Sequence, residues 1–88
     1  MNIHLIRTDG SEEHLNSQFN AIPDLIGAET MDSVDLRDGR VMLVDDNGYD
    51  TDKLINQKAT RLYHGVCKPG TTHQIIGDVA IVIDAECQ

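Results

Sequence analysis

His64, Cys67, His73 and Cys87 include the donor types of a tetrahedral zinc site, and His64 and Cys67 stand at i and i+3, a spacing that lets two ligands share one helical face. The remaining spacings match no finger signature, so surface histidines and a buried thiol account for the same residues. Asp45, Asp46, Asn47, Gly48, Asp50 and Asp52 have the composition of a calcium loop. Counted from Asp45, however, glycine falls at the fourth position instead of the sixth, and Asn56 takes the twelfth, where a bidentate glutamate is required. Cys67 beside Lys68, with His64 and His73 close in sequence, has the makings of an activated thiolate. No Ser, His and Asp order, phosphate-binding glycine loop or metal-hydrolase motif accompanies it, and the sequence is read as that of a non-enzyme needing no cofactor.

Asn56, Lys58, Thr60 and Arg61 form a different kind of candidate. Asn56 offers a donor and an acceptor, and with Lys58, Thr60 and Arg61 it could line a ligand pocket, closed by an interface between protomers. The simpler reading makes Asn56 a helix cap and packs Ala59 into the core. Lys53, Lys58, Arg61 and Lys68 then form a solvated basic face.

Charge narrows the partners. Fifteen acidic against seven basic side chains give a formal charge of -8, which disfavours direct contact with a nucleic-acid backbone and suits a partner with a basic surface. Residues 1–52 carry a net -9, residues 53–68 a net +4 and residues 69–88 a net -3, so the molecule is expected to show two electrostatic faces. With no Trp, one Phe and two Tyr, neither base stacking nor a deep aromatic pocket is favoured. Two cysteines are too few for a disulfide framework and are read as thiols. No apolar run reaches the ~20 residues of a membrane span, and the N-terminal segment lacks a leader pattern, so a cytoplasmic protein without membrane contact is expected.

The elements that must position these residues read as one α+β domain spanning residues 1–88, with a mainly antiparallel sheet of about four strands and two or three short helices on one face. Asn2 to Arg7 alternates as a first strand, ended by Asp9-Gly10. Ser11 as a cap, Glu12 and Glu13 in a first turn, and Leu15 and Phe19 on one side predict a helix. Pro23 to Ile26 predicts a second short helix stopped by Gly27. Segments 29–37 and 40–46 flank Asp38-Gly39, which predicts a two-residue hairpin turn. In that register Leu36 faces Val41 and Val34 faces Leu43, all four on the core side, while Met42 and Val44 take a partly covered face. Asn47-Gly48 ends the second strand, and Tyr49 to Lys53 is read as a loop. Ile55, Ala59, Leu62 and Val66 share a helical face, predicting a helix from Gln57 to about His64 that Gly65 ends. Val79 to Ile83 reads as a central strand, and Asp84 to Gln88 as a solvated tail.

Leu25-Ile26-Gly27 ahead of a strand, Asp38-Gly39, the acidic strand end Val44 to Gly48, Asn56 followed by Ala59-Thr60, and Gly77-Asp78-Val79 ahead of apolar residues occur in a suggestive order. In this order the chain resembles a family of small domains of unknown function found in phages, prophages and plasmids, over about three-quarters of its length. The resemblance implies a mobile-element origin and a role in phage–host interplay, and carries no catalytic residue. The leading expectation is an acidic interaction protein that binds and modulates a host protein, such as a defence or DNA-processing factor. Asp35, Asp45, Asp46 and Asp50 would supply its field, and the apolar residues Met31 and Met42 its contact area. The alternative is a small-molecule or nucleotide-binding module built on Asn56, Lys58, Thr60 and Arg61, with homo-oligomerisation open in either case.

Overall fold

The computed structural model describes residues 1–46, 54–66 and 74–83. Its strands are β1 (Asn2–Ile6), β2 (Glu12–Asn16), β3 (Met31–Asp35), β4 (Arg40–Asp45) and β5 (Val79–Ile83), and its helices are α1 (Ile22–Ile26) and α2 (Gln57–Val66). A single turn of 3-10 helix, Phe19–Ala21, leads into α1. The strands form one antiparallel sheet in the order β2-β1-β5-β4-β3.

β5 lies in the middle, as its continuous apolar run predicts, and packs on both faces, with only its last residue, Ile83, exposed. Val79 and Ile81 pack with Ile6, Leu36, Met42, Val44 and Ala59 of α2 on one side. Ala80 and Val82 pack with Ile3, Leu5, Leu43 and the α1 residues Ile22 and Ile26 on the other. A strand apolar on both faces needs a covering layer on each, and the helices therefore take opposite sides of the sheet rather than the same side.

The described residues hold five strands because the segment expected as the first helix is β2. It pairs with β1 across the Asp9-Gly10 turn, with Leu15 opposite Ile3 and His14 opposite His4. The acidic first turn and the Leu15/Phe19 spacing are local preferences. They are overridden by the pairing, which satisfies the outer backbone of β1 and brings Leu15 against the α1-side core. Phe19 is left largely exposed.

Helix α1 follows its sequence signals. Pro23 sits in the first turn, and Gly27 at φ 66°, ψ 36° closes the helix with a Schellman arrangement: the Ala28 N–H donates to the Pro23 carbonyl at 2.8 Å and the Gly27 N–H to that of Asp24 at 3.3 Å. Helix α2 starts at Gln57 as expected but continues through Gly65 to Val66.

The β3–β4 hairpin differs from the two-residue turn by one position. Val34 pairs with Met42 and Asp35 with Val41, and the Leu36 N–H donates to the Arg40 carbonyl at 3.0 Å, leaving Arg37, Asp38 and Gly39 as a three-residue loop. A two-residue turn of the type Asp-Gly favours would need positive φ at Asp38 as well as Gly39. Here Arg37 (φ 64°) and Gly39 (φ 87°) take those values instead. The shift places Val34, Leu36, Met42 and Val44 on the α2 side and leaves Val41 and Leu43 on the α1 side. Met42, expected as exposed contact area, is fully buried, and Val44 with it.

Because a Cβ at Gly39 would meet no neighbour, its cost is conformational alone. Gly39→Ala is expected to destabilise by about 1 kcal/mol, whereas Arg37→Gly is expected to stabilise by a similar ~1 kcal/mol. Urea denaturation of both variants checks the opposite signs, and a null effect at Arg37 would contradict the three-residue loop.

Candidate functional site

The polar residues around the start of α2 are occupied by architecture. Asn56 is fully buried. Its Nδ2 donates to the Ile6 carbonyl at 2.8 Å and the Gly77 carbonyl at 3.0 Å, and its Oδ1 accepts from the Ala59 N–H at 3.0 Å. The one side chain thus caps α2, holds the end of β1 and holds the approach to β5, with both amide hydrogens donated. Thr60, also buried, accepts the Ile75 N–H at Oγ1, 2.9 Å away. The backbone of the same region is stitched by Asn56 N–H to the Ile75 carbonyl and Gly77 N–H to the Leu54 carbonyl, both 2.8 Å, around an isolated Ile55–Ile76 bridge. Asn56 and Thr60 are therefore not pocket-lining ligands. Of the expected binding set, Lys58 and Arg61 remain at the surface.

Lys58 reaches from α2 to β2. Its Nζ donates to Glu12 Oε2 at 2.6 Å and to the Gly10 carbonyl at 2.7 Å, and Glu12 Oε1 lies 2.7 Å from His4 Nε2. Lys58 first and His4 second hold the Glu12 carboxyl below the ordinary glutamate range. The second acid of β2, Glu13, is held by Arg7 Nη2 at 3.1 Å, while Nη1 of the same guanidinium meets Asp78 Oδ2 at 3.0 Å. Asp78 Oδ1 also accepts the Thr8 N–H at 3.0 Å, fixing the β1–β2 turn to the entry of β5. Both edge carboxylates of β2 are thus neutralised within the fold.

The opposite edge is different. β3 is an edge strand, and Glu29, Asp32, Asp35 and Asp46 on and beside it are exposed. The Asp46 N–H donates to the carbonyl of Thr30, the residue after Glu29, at 3.2 Å, which brings Asp46 beside the start of β3. Asp35 Oδ1 accepts the Arg37 N–H at 2.8 Å, and Asp32 Oδ1 that of Ser33 at 2.8 Å. Among the described residues, no cation lies within ion-pair distance of these four carboxylates. Asp38 at the hairpin tip is paired, its Oδ2 2.7 Å from Arg40 Nη2, and Arg40 holds it below the usual aspartate range.

Of the acids expected at a partner surface, Asp35 and Asp46 are brought to this edge, and Asp45 is not. It closes β4 opposite Met31 and is buried. Asp50 lies outside the described residues, as do the Asn47-Gly48 turn, the loop to Lys53, Lys68, Cys67, His73, Cys87 and the C-terminal tail. Glu29 and Asp32 were missed, although their place beside an amphipathic segment with turn signals at both ends marks them as surface carboxylates. Among the described residues no three His, Cys, Asp or Glu side chains converge as metal ligands, and no helix is long and apolar enough to cross a membrane.

No family model, curated protein or solved structure matches the chain.

Two outcomes follow. Asn56→Ala strips the α2 cap and leaves two buried carbonyls without their donor, and is expected to cost about 3 kcal/mol or more in urea denaturation. For Glu12, the folded-state pKa lies below the unfolded one, so its stabilisation is complete above the unfolded value and is lost as pH falls through the folded value. The melting-temperature difference between wild type and Glu12→Gln should accordingly be largest near neutral pH and close up below the ordinary glutamate range; a difference that persists there would argue against the ion pair as its source.

Proposed function

We propose that this chain is an acidic interaction module, of phage or other mobile-element origin, that docks through the β3 edge onto a basic surface of a host protein and modulates it. The observation that carries the reading is the asymmetry of the sheet. The acids of the β2 edge are internally paired, whereas Glu29, Asp32, Asp35 and Asp46 along the β3 edge have no ion-pair partner among the described residues and project a negative field. Such a field raises the association rate with a basic partner and selects against acidic ones. An edge strand also carries outward backbone groups able to pair with an extended segment, and carboxylates along it prevent pairing with a second, equally acidic copy. The mobile-element origin rests on the order of turn and cap residues from Leu25 to Val79.

The reading excludes a catalytic role and assigns the docking surface to Glu29, Asp32, Asp35 and Asp46. Asp35 and Asp46 keep the roles the sequence suggests, and buried Met42 and Asp45 act through the strand that supports them.

Tagged wild type and a Glu29→Lys, Asp32→Lys, Asp35→Lys, Asp46→Lys variant, passed over a bacterial lysate with stepped salt elution, give the test. The wild type is expected to retain a stoichiometric protein released at moderate salt, and the variant to lose at least about tenfold of that binding. Capture of the same proteins by both, at every salt step, would remove the electrostatic docking surface.

A further inference from the structure

The α2 side of the sheet is only partly roofed. Helix α2 covers the end that holds Ile6, Met42 and Val44, and beyond it two adjoining depressions of about 410 and 600 Å³ share His4, Arg40 and Ile81. Leu62 and Ile81 line the smaller, beside Lys58 and Arg61; Ile81 and Ile83 line the larger, beside His14. His4 and His14 stack across the strands with ring centroids 4.2 Å apart and planes 13° from parallel, making a flat wall.

The charges here run against the rest of the molecule. In a chain of formal charge -8, three of the five described Lys and Arg residues and two of the three described His line this one surface. Glu12 is the carboxylate on its lining and is already taken up by Lys58 and His4. Arg40 lines both depressions with its Nε and Nη2 held by Asp38, and Arg61 extends from the exposed side of α2. An apolar floor with guanidinium groups at one side suits neither a bare ion nor a neutral hydrocarbon.

We propose that this surface binds an amphipathic organic anion, its planar or apolar body lying on Ile81 and Ile83 against the His4–His14 wall and its phosphate or carboxylate head directed to Arg40 and Arg61. Charge complementarity selects the head and the apolar floor selects the body. The site is centred on β1 and β5, and none of the four β3-edge carboxylates lines it.

The full chain, titrated in low salt with 1-naphthyl phosphate, 1-naphthol and inorganic phosphate while its amide NMR spectrum is followed, tests the assignment. Naphthyl phosphate is expected to bind at least about tenfold more tightly than either half, with shifts concentrated at His4, His14, Arg40, Ile81 and Ile83. An Arg40→Ala, Arg61→Ala variant, whose dispersed spectrum reports an intact fold, should weaken that binding about tenfold. Equal affinity for phosphate alone or for naphthol alone, shifts centred on Phe19 or Leu54 instead, or an unaffected double variant would each overturn it.

Discussion

The buried carboxamide of Asn56 is the junction on which the order of the elements depends. Three segments distant in sequence, the end of β1, the approach to β5 and the first turn of α2, meet at its three hydrogen bonds. A buried backbone group that loses its hydrogen-bond partner costs about 1–3 kcal/mol. An apolar residue of the same size would fill the space and make none of the three bonds. The same side chain therefore fixes where α2 starts and how far it stands from the sheet, which in turn sets how much of the α2 side is roofed.

The sheet built on that junction manages its two edges by opposite means. β2 carries Glu12 and Glu13, and each is drawn into a bridge with a cation from another element, Lys58 of α2 and Arg7 after β1. These bridges are half exposed, so their direct contribution to stability is small, and their main effect is to tie the edge down and cancel its charge. β3 keeps its carboxylates out of any ion pair among the described residues. Like charges along an edge oppose pairing between copies, and the same charges are available to a cationic surface.

What could be read from the sequence was what local chemistry decides. Pro23 and Gly27 frame α1, Asn56 caps α2, and the run from Val79 to Ile83 marks the centre of the sheet, because each signal acts within a few residues of itself. Ser11, Glu12 and Glu13 satisfy the rules for a helix start where the chain forms β2; the pairing of Leu15 with Ile3 that overrides them is invisible along the chain. The β3–β4 register turned on whether Arg37 would accept a left-handed conformation, and on burial available to Met42 and Val44 only once α2 is in place. The site was legible to the same extent. Asp35 and Asp46 lie on the surface, while Met42 is buried because a helix layer covers each side of the sheet, and Asp45 because it closes β4 opposite Met31, neither of which a local signal reveals.

The position of β5 also bears on how the molecule assembles. β1 with β2 and β3 with β4 are two hairpins closed by short loops, each able to form from neighbouring residues, and neither touches the other as a strand pair. β5, last of the described elements in the chain, is the strip that joins them, and it completes both apolar layers at once. Until it inserts, two ribbons lack their shared core; once it does, the whole sheet closes cooperatively. Bringing β5 between the two ribbons closes long stretches of chain, so its entropic cost exceeds that of either short turn.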